Sequence, residues 1–388
     1  MMKKFFTITV TLLLAASLSG ALFADNIIPS TRAMGMGGFH VSGQDGIWTL
    51  MTNPANITGL EQFDIATVGF SVGNVLTFQD AIKNFSLKDP TKMLFSLLSS
   101  KRAKNYSFNL TGPLALGMIK NGFGWGVFDD ANTFIGIKNN MVKFSAQANL
   151  QGRFAYGMNI VDTSVFSLDA GAGAKVLFGF NMNATTNMTT LVGLISDTKD
   201  MLGKMGVTTV PLSMSIGADA GLTGHLKFLP LLNDDLAFSI VAEDVIGMNT
   251  NIVDLAKSMG LSGSGYSNKA TLAVPKINVG VSYNLTLFGF LGLGAYVDYH
   301  DAALQLFTEK AKRYLLNDGL LNLSMGLEAK LFDMVSVRTG VYDWAPSVGL
   351  GLAVKGFTID LAAYTKEMGS YPGEFSVPMI DVGLCFRL

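Results

Sequence analysis

Between Val142 and Ile160 the chain alternates in character with a period of two. Val142, Phe144, Ala146, Ala148, Leu150, Phe154, Tyr156, Met158 and Ile160 fall on one face. Lys143, Ser145, Gln147, Asn149, Gln151, Arg153 and Asn159 fall on the other. A β-strand points successive side chains to opposite faces, so this segment reads as a strand between two different media. A Lys or Arg turned to lipid at mid-bilayer costs about 2–4 kcal/mol. The charged face therefore belongs to an interior and the apolar face to lipid. The same alternation recurs at 212–220, 277–284, 335–342 and 357–364.

Composition points the same way. Charged residues are 15% of the 388 and hydrophobic residues 49%, with 43 glycines, too apolar for an ordinary soluble surface or for disorder. Beyond the first two dozen residues there is no run of about 18 apolar residues, so no helix spans a membrane. Strands that cross lipid must close on themselves, because an open edge leaves backbone groups unpaired. The expected fold is all-β, a 14-stranded antiparallel transmembrane β-barrel. Strands are expected near 62–75, 111–120, 122–138, 142–160, 164–180, 209–225, 234–247, 271–285, 287–300, 318–331, 333–343, 345–355, 356–366 and 376–388. Long connections (76–110, 181–208, 248–270, 301–317, 367–375) fall at one end. Tight turns such as Lys120-Asn121-Gly122 and Lys355-Gly356 fall at the other. That asymmetry is the habit of outer-membrane barrels, whose long loops face outward.

Helical spacing appears inside the long connections. One stretch, capped by Asp89 before Pro90, carries Met93, Leu94, Leu97 and Leu98; another carries Leu191, Leu194, Ile195, Met201 and Leu202. Shorter amphipathic stretches lie at 252–259 and 304–315. Leu94, Leu97, Leu98, Leu191, Leu194 and Ile195 are candidates for capturing a greasy ligand at the surface; packing on one another as a cap is the other reading.

Residues 1–24 read as a signal peptide for Sec export. Lys3 and Lys4 start it, an apolar core follows, and Ala24 precedes the mature chain at Asp25. Without those two lysines the net charge moves from −1 to about −3, so no basic surface invites nucleic acid. The single cysteine, Cys385, excludes an internal disulfide and cysteine-ligated metal sites. No metal and no other cofactor is expected. His40, His225 and His300 stand far apart with no nucleophile motif, so the chain is not read as an enzyme.

Residues 25–60 do not alternate. They hold Arg32-Ala33-Met34-Gly35-Met36-Gly37-Gly38, then Asp45, then Asn53-Pro54-Ala55. A phosphate-cradling loop would need a strand before it and a helix after it, and neither is present. This pattern resembles the start of the FadL family, outer-membrane transporters of long-chain fatty acids and other hydrophobic compounds, and the chain looks most like its treponemal branch. The hairpin 114–127 resembles that family's second and third strands. The resemblance implies an N-terminal hatch (25–60) plugging the lumen of a barrel (61–388), with Arg32, Gly35, Gly37, Asn53, Pro54 and Ala55 in the hatch. A hatch that moves and a static plug both remain open. The resemblance also implies an inward kink in the third strand that opens the wall sideways; Asp129, Asp130 and Asn132 mark that region, and a strand already clear of the membrane is the alternative.

A desolvated fatty-acid carboxylate needs a cation or several donors. By parity the candidates are Lys143, Arg153, Lys175 and Arg338, unless they pair with inward acids such as Asp169, Asp219 and Asp360. The last strand, with Asp381, Gly383, Phe386 and Leu388, resembles the signal read by the barrel assembly machinery. The implied function is passive uptake of a hydrophobic small molecule, such as a long-chain fatty acid, through a hatch-gated pocket with lateral exit into outer-membrane lipid. A structural, docking or surface-interaction barrel without transport activity is the alternative.

Overall fold

The computed structural model describes residues 30–74, 104–138, 141–187, 211–228, 234–254, 270–302, 322–342, 344–367 and 376–388. The expected signal peptide and the six loop leucines and isoleucines lie outside these residues. Fifteen strands form one antiparallel sheet, β1 Gln62–Gly73, β2 Lys104–Lys120, β3 Phe123–Lys138, β4 Met141–Asp162, β5 Phe166–Asn187, β6 Pro211–Leu226, β7 Asp234–Asp254, β8 Thr271–Leu272, β9 Lys276–Leu287, β10 Leu291–Tyr299, β11 Leu323–Leu331, β12 Val335–Tyr342, β13 Ala345–Val354, β14 Phe357–Glu367 and β15 Ser376–Arg387. β8 is two residues laid on β7, and β9 pairs directly with β7, so fourteen strands make the wall. The barrel closes where β1 pairs with β15, from Asp64 against Arg387 to Gly73 against Met379. Closure removes every sheet edge from the lipid.

The alternation sets which face is which. Phe154, Ile216, Val281, Val337, Leu350, Leu361 and Phe386 are exposed on the outer wall. Arg153, Asp219, Ser282, Arg338, Tyr364 and Asp381, their neighbours of opposite parity, are buried inside. Outward rings gather at the short-turn end: Phe288, Phe290 and Phe332 stack at 6.0 and 5.2 Å, and Phe357 meets Phe386 at 5.1 Å. They form part of the aromatic girdle of a transmembrane barrel.

Strand lengths divide the barrel. β2 to β7 have 16 to 22 residues, whereas β9 to β15 have 8 to 12. About 9–11 tilted residues cross a bilayer, so the β2–β7 side stands taller at the end of the long connections. Residues 104–110 therefore belong to a strand, not to the long connection expected from 76 to 110. Asn105 and Ser107 turn in while Phe108 and Leu110 turn out, an alternation masked in the sequence by the basic residues before it. Likewise Ile252–Asp254 ends β7 and does not open an amphipathic helix.

The wall is irregular beside β2. Thr111 pairs with Asp130 and Leu116 with Val127, so β2 carries four residues where β3 carries two. Gly112 sits at φ 83°, and a Cβ there would come within 2.0 Å of the Thr67 carbonyl oxygen, so only glycine fits. β1 shifts register at the same height, between Asp64 and Thr67 and again before Gly69.

Leu350→Arg should cost about 2–4 kcal/mol in lipid vesicles. Thr358→Lys, inward on the next strand, should cost about 1 kcal/mol or less. Urea unfolding of the folded band on a heat-modifiability gel measures both.

Candidate functional site

Residues 30–60 form four short turns of helix, Thr31–Gly35, Gly46–Trp48, Thr49–Thr52 and Pro54–Ile57. Such short helices are marginal alone and persist here through capping and burial. Ser30 Oγ accepts from Ala33 N at 3.0 Å, and Asn53 Oδ1 accepts from Ala55 N at 2.9 Å, each capping the helix that follows. The segment touches strands all around the ring. Leu50 and Ile57 lie against Gly124, Pro54 against Gly173, Asn53 against Gly221, Val41 against Gly280, Gly35 against Gly349 and Thr31 against Gly383. Only a segment inside the barrel can meet all these walls, so it plugs the lumen.

Its seat has two characters. Against β2, β3 and β4 it is apolar: Ile47, Trp48, Leu50, Met51 and Ile57 pack with Ala115, Ile119, Phe128 and Ala155. Trp48 and Phe128 rings lie 5.1 Å apart. Toward β10, β11 and β12 it is ionic. Arg32 binds Glu328 through Nε (3.1 Å) and Nη2 (2.7 Å), and Asp45 through Nη1 (3.1 Å). Burial alone would lower the pKa of Arg32, but these two carboxylates hold it raised, so the guanidinium stays charged. Gly37 is at φ 85°, and a Cβ there would lie 2.3 Å from the Met325 carbonyl oxygen. Toward β6 the contacts are neutral. Asn53 Nδ2 donates to Thr223 Oγ1 (2.9 Å) and to the Val41 carbonyl (2.9 Å), and Asn56 Nδ2 donates to the same carbonyl at 2.8 Å.

The expected hatch residues are thus brought together: Arg32 and Gly35 on the first helix, Gly37 just after it, Asn53, Pro54 and Ala55 at the last. The expected carboxylate-binding cations are not. Arg153 binds Asp219 at 2.8 Å and the Leu50 carbonyl at 3.1 Å. Lys175 lies 3.0 Å from Asp219 and 3.1 Å from Asp244. Arg338 binds Glu328 at 2.7 Å and Asp360 at 2.5 Å. Inward acids therefore take up these three cations, with Asp219 and Asp360 among them. Asp169 bonds Asn159 (2.7 Å) instead. Lys143 lies far from them, near the long-connection end of β4.

Asp129, Asp130 and Asn132 occupy regular positions, since β3 pairs with β4 without a shift from Phe123 to Lys138. The irregularity sits one strand away, in β2. Asp129 Oδ1 accepts from Leu114 N at 2.9 Å and so steadies that bulge. Sequence reading placed a strand at 111–120 but did not foresee the bulge that Gly112 makes inside it. It also missed Glu328 and Asp298, which inward parity within alternating strands would have marked.

Two environments flank the plug along the barrel axis. On the long-connection side Met34 packs with Phe134, Ala362, Tyr364, Val377 and Met379, an apolar cluster. On the short-turn side a cavity of about 330 Å³ separates the plug from β1 and from β11–β15. Arg32, Asp45, Asp64, Arg338, Asp381 and Arg387 line it, and it reaches Thr67, Gly69 and Thr111 at the wall irregularity. Arg387 Nε bonds Asp64 at 2.9 Å. Among the described residues no three His, Cys, Asp or Glu side chains gather as a metal site would require.

No protein-family model matches the chain, and no curated protein does. Among solved structures it is similar to the Ralstonia pickettii toluene transporter TbuX (12% identity, 92% of this chain and 97% of that one, TM-score 0.47). It is also similar to the Pseudomonas putida toluene transporter TodX (11%, 92% and 96%, TM-score 0.43) and to the monoaromatic hydrocarbon channel CymD (12%, 94% and 98%, TM-score 0.42). At such identities the likeness concerns the fold.

Glu328→Gln removes the carboxylate shared by a partly buried plug arginine and a buried wall arginine. The variant should lose about 3 kcal/mol and shift the emission of buried Trp48 to the red at lower urea than the parent, as followed by tryptophan fluorescence.

Proposed function

We propose that the chain is a passive outer-membrane channel for hydrophobic small molecules, with residues 25–60 as its hatch. One juxtaposition carries the reading. A single lumen holds an apolar cluster above the plug, an ion-paired cavity below it, and a bulged wall at Thr67 and Gly112 beside it. A greasy solute arriving from the long-connection end finds its first apolar partners at Met34, Phe134, Tyr364 and Met379. Passing straight through would bring it among paired charges, where apolar surface gains nothing and the charges lose solvation. A sideways step at β1–β2 leads to lipid, where burial of each CH₂ is favourable by about 0.8 kcal/mol.

The ligand class follows from what the cations are doing. Arg153, Lys175 and Arg338 would have to break a buried ion pair to hold a carboxylate. A long-chain fatty acid would therefore enter tail-first with its head group left toward water. A neutral aromatic, the cargo named for TbuX and CymD, needs no cation. Export by the signal peptide and insertion through the C-terminal strand by the barrel assembly machinery complete the proposal.

The docking reading draws on a different observation: only about 20 Å³ is left where the plug meets Tyr296. The same experiment separates the two. A Cβ at Gly173 would lie 3.8 Å from Pro54 Cβ, the usual spacing across a disulfide. In a Cys385→Ser background, Pro54→Cys with Gly173→Cys should tie plug to wall. Uptake of labelled oleate or toluene by intact cells should fall about tenfold when oxidised and return with reductant. Full uptake with the bridge formed would overturn the moving hatch, and no uptake in either state would favour docking.

A further inference from the structure

We infer that the β9–β13 arc is seated in the membrane at both of its ends, with aromatic turn tips as the anchors, and that the bilayer is drawn thin along it. The partner is the phospholipid around the barrel, and the inference holds whatever the lumen carries. It starts from backbone conformation. Among the described residues, eight non-glycine residues lie in the left-handed region. Asn74, Asn121, Asp244, Asp301 and Asp333 are Asn or Asp, whose short polar side chains tolerate it. The other three are aromatic: Phe288 at φ 54°, Phe332 at φ 54° and Trp344 at φ 64°.

All three stand at hairpin tips of one arc, β9–β10, β11–β12 and β12–β13. The β2–β3 hairpin shows the usual solution for such a tip, Asn121 at φ 52° followed by Gly122 at φ 74°. A bulky ring there is a costly choice for the turn itself. Nor is burial gained, since Phe288 is 83% exposed, Phe332 63% and Trp344 46%. Phe332 N donates to the Phe290 carbonyl at 2.7 Å, which ties the two short-turn hairpins side by side with their rings stacked. The rings suit an apolar medium outside the protein.

Strand length identifies that medium. β10, β11, β12 and β13 have 9, 9, 8 and 10 residues. At about 3.4 Å per residue and a tilt of about 40°, eight residues rise about 20 Å along the membrane normal. The apolar band of an outer-membrane barrel is about 25 Å tall. The strands alone fall short of it, so the tips lie at the lipid boundary, Phe288 and Phe332 at the short-turn end and Trp344 at the other. Outward side chains stay apolar up to the tips, with Leu327, Leu331, Val335, Val337, Val348 and Leu352 exposed. β4 and β5, at 22 residues each, rise about 55 Å and clear the membrane. A wall shorter than the hydrocarbon is met by a thinner bilayer.

Fluorescence quenching reads the seating without any transport step. The full-length barrel would be folded into dioleoyl phosphatidylcholine vesicles, whose hydrocarbon core of about 30 Å exceeds the arc. In a Cys385→Ser background, Phe288→Cys, Phe332→Cys, Trp344→Cys and, for comparison, Asn121→Cys each carry a bimane label. Lipid bearing a doxyl group near the glycerol should quench the first three about threefold more than the label at position 121, and aqueous iodide should do the reverse. A doxyl group at mid-chain should quench the three less than one near the glycerol, because a thinned bilayer keeps the tips at its boundary. Phe332→Asn is a second readout that needs no label. Asn suits the left-handed turn, so the variant should raise the urea midpoint in detergent micelles and lower it in vesicles, where an anchor is lost. Iodide access at either end of the arc equal to that at position 121 would overturn the seating. Stronger quenching from mid-chain would overturn the thinning, and a Phe332→Asn shift of one sign in both media would overturn the anchor.

Discussion

A charge turned into a barrel has nowhere to go but another charge, and the interior of this protein is built on that constraint. The wall satisfies part of it alone, through Arg153, Lys175, Asp219 and Asp244. The rest needs the plug. Glu328 holds Arg338 of the wall on one side and Arg32 of the plug on the other, and Asp298 of the wall meets His40 and Val41. The N-terminal segment is therefore part of the charge balance of the lumen, not a passenger. Removing either side leaves buried charge without a partner, which is costly in a low-dielectric interior.

The same constraint shapes function. The ion pairs of Arg338 and Arg387 border the cavity on the short-turn side of the plug, and an apolar cluster around Met34 lies on its long-connection side. On the proposed reading, an apolar solute would advance only as far as the plug. The wall beside it is locally thin in hydrogen bonds, with two extra residues in β2 and a register shift in β1. Asp129 braces this break from the next strand, so that acid supports the bulge instead of forming it.

Most of the fold was legible because lipid enforces alternation. Ser336, Arg338, Val335 and Val337 declare their faces by type alone. The strand number and the turn pattern followed. Partner choice was not legible. Arg153, Lys175 and Arg338 look alike as free cations in a sequence, and only registration across strands brings Asp219, Asp244 and Glu328 to them. His40 offered no local signal, since Asp298 lies 258 positions away. The extension of β2 escaped because the basic residues before it mask its alternation.

The route of the ligand is tested most directly by photocrosslinking. A diazirine-bearing fatty acid, and in parallel a diazirine-bearing arene, would be offered to the full-length protein in outer membranes, and adducts mapped by peptide mass spectrometry. The account predicts adducts on the inward cluster of Met34, Phe134, Tyr364 and Met379 and on the β2 bulge around Gly112, suppressed by excess unlabelled hydrocarbon. Adducts confined to lipid-facing residues such as Leu350, indifferent to competitor, would contradict it.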